Sequence, residues 1–306
     1  MISITRLFLI HNYQSWLYSQ LRPWSLQVSR KLYCWQLDNY PYVSEIPSEE
    51  VIIEEGKKLI ESSVTWKAGK TFFNSVQTSY RAKEPGDGAP WYCRISEHTP
   101  KEVTFDQLWE KLSKNKAVNE KESCLISLLW LLVLLIFGVQ HDRFIHEIKK
   151  VTKVKEISPN ASIWTLYYTF TPPVSPRVFT ELQVTHLSET TPRTGWMKSL
   201  FVTTQFMELI TFKRIIVSLA IDLSSKGDEE LLKLEEKGVR GRYVSVERII
   251  ELENGNTEWR MATSSTPGGS LPNFIVESTM AKKIATVRTV TLPFFGFILI
   301  VSLPLI

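Results

Sequence analysis

The chain is poor in the residues that announce chemistry by motif. Only three cysteines, Cys34, Cys93 and Cys124, occur in 306 residues. They are far apart and odd in number, which excludes a disulfide framework and a paired-cysteine metal site. That usage fits a reducing compartment, and a cytoplasmic location is expected. Five histidines, His11, His98, His141, His146 and His186, form no HExxH pattern, and neither GxSxG nor a phosphate loop occurs. No internal repeat or low-complexity tract is present. Charge of one sign is scarcely in excess: 36 basic against 32 acidic residues give a net +4, so no nucleic acid partner is expected. The start, MISITRLFLIHNYQSWLY, lacks a small-residue cleavage site and reads poorly as a signal peptide.

What is present is an ordinary globular balance of 43% hydrophobic and 22% charged residues. Residues 1–47 are rich in Trp and Tyr, show no period and receive no assignment. From Ser48 the patterns sharpen. SEEVIIEEGKKLIESS places Ile52, Ile53, Leu59 and Ile60 near helical spacing behind a serine cap. KTFFNSVQTSYR and WYCRISEH read as two short strands joined by the Pro/Gly loop EPGDGAP. In TFDQLWEKL, Thr104 and Gln107 match a capping box, and Phe105, Leu108, Trp109 and Leu112 share one helical face.

The second half reads mostly as strand. Trp164, Leu166, Tyr168 and Phe170 alternate on one face of SIWTLYYTF, and Ile215, Val217, Leu219, Ile221 and Leu223 do so in IIVSLAIDL. RVFTELQVTHL sets Val178, Leu182 and Val184 against Arg177, Glu181 and Gln183. Asn254-Gly255 marks a hairpin. A helix follows the glycine turn TPGGS, with Pro272 near its first turn. The run KKVTKVKE reads as a solvated strand face. Together these patterns describe an α+β domain, a curved antiparallel sheet gripping a carboxyl-terminal helix, with a cavity between them.

Four stretches in order, WYCRISEHTPKEVTFDQLWEKL, IWTLYYTFTPPVSPRVFTELQVTHLSE, GVRGRYVSVERI and TEWRMATSSTPGGSLPNFIVESTMAKKI, resemble the fungal START-like family catalogued as domain of unknown function 3074. With residues 48–90, the likeness extends over about two thirds of the chain. It implies a START-like helix-grip fold related to lipid-transfer and polyketide-cyclase domains, and no assigned activity.

Three segments depart from that family's pattern. Residues 123–143 include an uncharged run from Cys124 to Val139, which is short for a membrane span of about 20 residues. Excising 123–143 would join Phe144, Ile145, Ile148 and Val151 into one amphipathic stripe. Residues 196–214 separate PRTG from IIVSLAIDL, and after Ala285 the chain continues as TVRTVTLPFFGFILIVSLPLI. Codons permitting splice-like borders at these segments favour translated intron sequence or a mis-drawn gene. The expected organisation is therefore an unassigned extension at 1–47, a START-like domain at 48–286 interrupted at 123–143 and 196–214, and a foreign tail at 287–306.

With no catalytic motif, the candidate site is the cavity. Trp91, Trp164, Tyr168, Tyr243 and Trp259 suit a pocket lining, having apolar bodies and polar tips. Arg94, Arg177, Glu247 and Arg260 lie on strands, where charge is costly unless it is paired, exposed or met by a polar ligand head. His98, near Arg94 and Asp106, is the one candidate for acid–base chemistry; a surface or capping histidine is the plainer reading. Alternation alone does not say which face looks inward. The expected function is binding of a hydrophobic or lipid-like small molecule without metal, cofactor or covalent step. The alternatives are a membrane-associated protein anchored by 124–139 and 290–306, and a cyclase- or hydrolase-like enzyme using the same cavity.

Overall fold

The computed structural model describes residues 40–85, 87–122, 147–170, 174–187, 214–269, 273–286, 288–292 and 297–301. Helix α1 (Glu49–Ser62) opens the domain, followed by β1 (Lys67–Phe72), β2 (Val76–Arg81) and β3 (Trp91–His98). Helix α2 (Phe105–Ser113) and a helix at 116–122, α3, lead to β4 (Glu147–Ser158), β5 (Ala161–Thr169), β6 (Arg177–Leu187) and β7 (Arg214–Ala220). Then come α4 (Glu229–Leu232), β8 (Val239–Arg240), β9 (Arg242–Glu251), β10 (Thr257–Thr266) and the long helix α5 (Asn273–Thr286).

One sheet of ten strands holds these elements, in the order β1-β2-β3-β10-β9-β7-β6-β5-β4, with β8 beside β6. Every pair along that path is antiparallel, and the short β6–β8 pair is parallel. The sheet is curved and open. Its β4 edge exposes Lys149, Lys150, Lys153 and Lys155, charges that discourage another strand from adding there.

Alternation along each strand gives the sheet two unlike faces. Ile215, Val217 and Leu219 of β7, Val244 and Val246 of β9 and Ala262 of β10 pack in one cluster with Ile52, Ile53, Leu59 and Ile60 of α1. This outer face is apolar, and burying each large aliphatic side chain there contributes about 1.5–3 kcal/mol. Gly56 permits the close seat of α1: a Cβ at that position would fall 2.7 Å from Val217 Cγ2. The opposite, inner face lies beneath α2, α3 and α5. Phe105, Leu108 and Leu112 of α2 cover Ile216, Ile249 and Trp259, and Met280 and Ile284 of α5 cover Met261 with Tyr92 and Tyr243 at the side. The capping box of α2 is present: Gln107 N donates to Thr104 Oγ1 at 3.3 Å, and Thr104 N donates to Gln107 Oε1 at 2.9 Å.

Two local expectations change. The segment read as two strands between 70 and 98 contains three, because Phe73 and Asn74 both take positive φ, 54° and 57°, and reverse the chain between β1 and β2. Such a turn ordinarily carries glycine, so its sequence signal was weak. The tail forms a separate ribbon, in which β11 (Arg288–Leu292) pairs antiparallel with β12 (Phe297–Val301); the described part of 290–306 is strand, not a spanning helix. The 123–143 segment and residues 196–213 lie outside the described residues, as does the anchor reading of 124–139. No helix among the described residues is long and apolar enough to cross a membrane.

Candidate functional site

Residue parity on β3 divides its side chains. Trp91, Cys93 and Ile95 turn towards α1, whereas Tyr92, Arg94, Ser96 and His98 turn inward. Arg94 is 0% exposed. Its guanidinium lies over the Trp259 ring at 4.2 Å, and Nη2 donates to Ser96 Oγ. Ser96 Oγ in turn lies 2.7 Å from His98 Nε2. A guanidinium only donates, so Ser96 accepts from Arg94, and the direction of its bond with His98 is set by the imidazole tautomer. Burial, reinforced by the Arg94 charge, pushes His98 down to about 4, which keeps the ring neutral at neutral pH. Burial also lowers Arg94, to about 10, so the guanidinium remains cationic. Its Nε and Nη1 have no acceptor among the described residues.

Beside Arg94 stands a second buried cation with its counter-ion. Lys116 Nζ donates to Glu247 Oε1, and Trp259 Nε1 donates to Glu247 Oε2 at 3.1 Å. Glu120 Oε1 lies 3.9 Å from the same ammonium. Burial works against the charge on Lys116, but Glu247, Tyr243, Glu120 and Glu181 hold its pKa well above the ordinary value. Burial raises Glu120 and carries Glu181 up to about 7, so part of the Glu181 population is protonated near neutrality.

A row of small polar side chains crosses the same face. Thr263 is opposite Ser245, Ser245 opposite Ser218, and Ser218 opposite Gln183. All four are buried. Thr263 Oγ1 donates to the Val244 carbonyl at 2.9 Å and Gln183 Nε2 to the Leu112 carbonyl at 3.4 Å, while the Ser218 and Ser245 hydroxyls have no partner among the described residues.

Of the residues expected at the cavity, Arg94, His98, Glu247 and Trp259 come together in this cluster. Trp164 and Tyr168 belong to an adjoining apolar group with Leu166, Phe179 and Ala117, which Tyr243 also borders; Tyr168 meets Phe179 edge-on at 5.5 Å. Arg177 is inward by parity but sits at the end of β6, where Nη1 donates to the Ser175 carbonyl. Two expectations are corrected. Trp91 faces α1, its ring 6.2 Å from Trp66 and its Nε1 donating to Asp87 Oδ1 at 3.3 Å. Arg260 also lies on the outer face, where Nη1 donates to Ser63 Oγ at 3.1 Å. Parity is the physical reason: Trp91 cannot share a face with Arg94, nor Arg260 with Trp259. Asp106 pairs with Arg214, Nη2 to Oδ1 at 3.2 Å, while His98 belongs to the Arg94–Ser96 chain.

The residues not singled out in advance are Ser96, Lys116, Glu120, Glu181, Gln183, Ser218 and Ser245. Glu181 and Gln183 were legible as the polar side of β6. Lys116 and Glu120 stand four apart, a spacing that places them on one helical face. The hydroxyls gave no signal beyond position. The TPGG part of the TPGGS loop fits closely against β8: Gly268 has φ 66°, and a Cβ there would lie 2.1 Å from the Arg240 carbonyl oxygen.

Among the hollows formed by the described residues, two bear on the two faces of the sheet. One of ≈50 Å³ lies beside α5, among Ala89, Tyr92, Ser265, Glu277 and Met280. The other, a groove of ≈450 Å³, lies on the outer face among Val43, Ile46, Ile52, Ala161, Leu182 and Val184. No group of three or more His, Cys, Asp or Glu suited to a metal ion occurs among the described residues.

A family model described as "Protein of unknown function (DUF3074)" matches residues 91–292. No curated protein matches the chain. Among solved structures, human STARD10 superposes with a TM-score of 0.50 at 12% identity, covering 78% of this chain and 76% of that one. Human StAR-related lipid transfer protein 5 gives a TM-score of 0.48 at 14% identity, with coverage of 76% and 88%. A STAR-related lipid transfer protein from Xanthomonas axonopodis gives 0.44 at 11% identity, with coverage of 71% and 90%. At these identities the likeness is one of fold, and STARD10 carries it.

Proposed function

The chain belongs to the DUF3074 family of proteins of unknown function, and we propose that it is a START-like module that holds a hydrophobic or lipid-like small molecule against the inner face of its sheet. The observation that carries this reading is the contrast between the two faces. Both are covered by helices, yet the outer one beneath α1 is mainly Ile, Val, Leu, Ala, Trp91 and Cys93, and its buried Arg260 and Ser264 have partners in Ser63 and the Ala89 carbonyl. The inner one buries Arg94, Glu181, Glu247, Ser218, Ser245 and Thr263, with donors of Arg94, Ser218 and Ser245 unpartnered among the described residues. A face built only for packing gains nothing from such groups, because a buried polar atom without a partner costs about 1–3 kcal/mol. Orphaned donors on the face that carries Trp259, Met261 and Tyr243 are the mixture a small-molecule site uses: apolar walls and a few fixed polar groups.

A lipid-sized ligand is much larger than the ≈50 Å³ hollow beside α5. Entry in this reading therefore displaces α5, whose hold on the sheet comes from Met280, Ile284 and the bond from Tyr92 Oη to the Glu277 carbonyl at 3.2 Å. Binding would draw on apolar burial, about 25 cal/mol per Å² removed from water, and needs no covalent step. The test is titration of the purified chain with a fluorescent fatty acyl probe. Saturable binding at one site per chain, competed by unlabelled lipid, supports the reading; the absence of saturable binding across acyl, sterol and isoprenoid probes contradicts it.

A further inference from the structure

We infer that the ligand is an acidic amphiphile, and that Arg94 is the residue that receives its oxyanion, a carboxylate or a phosphate, within the inner face. The inference rests on the binding reading above and names its ligand class.

Arg94 is fully buried at the centre of this face with no carboxylate in hydrogen-bond contact among the described residues, whereas Arg177, also inward by parity, sits at the end of β6 on the Ser175 carbonyl. Lys116 has Glu247 in direct contact and Glu120 at 3.9 Å. The Arg94 guanidinium is differently placed: among the described residues its one hydrogen bond runs from Nη2 to the neutral Ser96 hydroxyl, and Nε and Nη1, which bear most of its N–H groups, have no acceptor there. Glu247 acts on it through space, but both Glu247 oxygens are already engaged by Lys116 and by Trp259 Nε1. A buried cation in that condition costs several kcal/mol, and an incoming oxyanion removes the cost.

The surroundings keep the guanidinium in place rather than neutralise it. Trp259 supports one face of the plane at 4.2 Å. Ser96, which also meets His98 Nε2 at 2.7 Å, accepts from Nη2 and leaves Nε and Nη1 without an acceptor among the described residues. Arg suits this task better than Lys because its planar fork matches carboxylate and phosphate oxygens and resists deprotonation. Met261, opposite Arg94 on β10, and the α2 side chains Leu108 and Leu112 over Trp259 give the hydrocarbon that follows the anion an apolar path.

The experiment compares ligands of equal chain length on the full chain: oleate, its methyl ester, lysophosphatidate and monoolein, each displacing a fluorescent acyl probe. Inorganic phosphate is the arm without a chain. A charge-assisted hydrogen bond is worth about 1.5–3 kcal/mol, so oleate or lysophosphatidate should bind about tenfold or more tightly than its neutral counterpart; whichever acid shows the larger preference identifies the head. Arg94→Gln should reduce that preference to within about twofold while neutral lipids still bind. Equal affinity of wild-type protein for acid and ester overturns the inference, and that comparison stands even if Arg94→Gln fails to fold. Retention of the acid preference in a folded Arg94→Gln variant also overturns it, as does competition by phosphate as effective as that by lysophosphatidate. Neutral lipids binding as tightly as acids leave the binding reading intact, whereas failure of every lipid to bind removes both.

Discussion

Lys116 Nζ and Glu247 Oε1 form an ion pair inside the domain, across 131 residues of sequence, with side-chain exposures of 4% and 1%. The pair joins α3 to β9, and Trp259 Nε1 holds the second carboxylate oxygen. Lys116→Met would strand a buried carboxylate and is expected to cost about 3–5 kcal/mol. Adding Glu247→Leu should return most of that loss. Urea unfolding of the two single variants and the double variant measures the coupling. Additive losses would mean that the contact contributes little.

Glu181 provides a pH test with a definite sign. Its carboxyl is raised from 4.5 to about 7 by burial, so the folded chain binds the proton more tightly than the unfolded chain does. The penalty is full above about pH 7 and fades as pH falls through 7 towards 4.5. Glu181→Gln should therefore stabilise the protein at pH 8 by up to about 3 kcal/mol and do little at pH 5. A pH-independent effect in thermal melts would contradict this.

His98 works in the opposite direction. It is held neutral, at about 4 against an ordinary 6.5, by burial and by Arg94. Its contribution is whole above pH 6.5 and is lost as pH falls from 6.5 towards 4. His98→Gln keeps a hydrogen-bonding partner for Ser96 without the titration, and should escape about 2–3 kcal/mol of the wild-type loss between pH 7.5 and pH 4.5. Parallel acid melts of the two proteins would remove His98 from that role.

Gly268 tests the entry to α5. Its φ of 66° and the 2.1 Å approach of a would-be Cβ to the Arg240 oxygen leave no room for alanine. Gly268→Ala should cost more than about 2 kcal/mol, whereas the same change at Gly255, where nothing lies within 4 Å, should cost only the positive-φ strain. Equal losses in chemical denaturation would show that the close approach is not maintained.

The sequence made the strands legible wherever the signal was local. Alternation in β5 and β7, the capping box of α2 and the Asn254-Gly255 turn, with Gly255 at φ 79°, follow from neighbours a few residues apart. The Phe73-Asn74 turn escaped because a bulky residue in the left-handed region is uncommon. The site was only half legible. Parity excludes Trp91 and Arg94 from a common face, but which of them looks inward depends on where α1, α2 and α5 settle, and that is set by contacts distant in sequence. The Arg94–Ser96–His98 chain was within reach, since residues two apart on a strand share a face. The Lys116–Glu247 pair was not, because nothing local links a loop-proximal lysine to β9.

The central claim is that the ligand lies on the inner face. Photolysis of the chain with a fatty acid bearing a diazirine near its methyl end, followed by peptide mass spectrometry, tests it most directly. The account expects labelled peptides from α2, α5, β9 and β10, around Leu108, Met280, Tyr243 and Met261. Label confined to Val43, Ile46, Ile157 and their neighbours in the outer groove would contradict it.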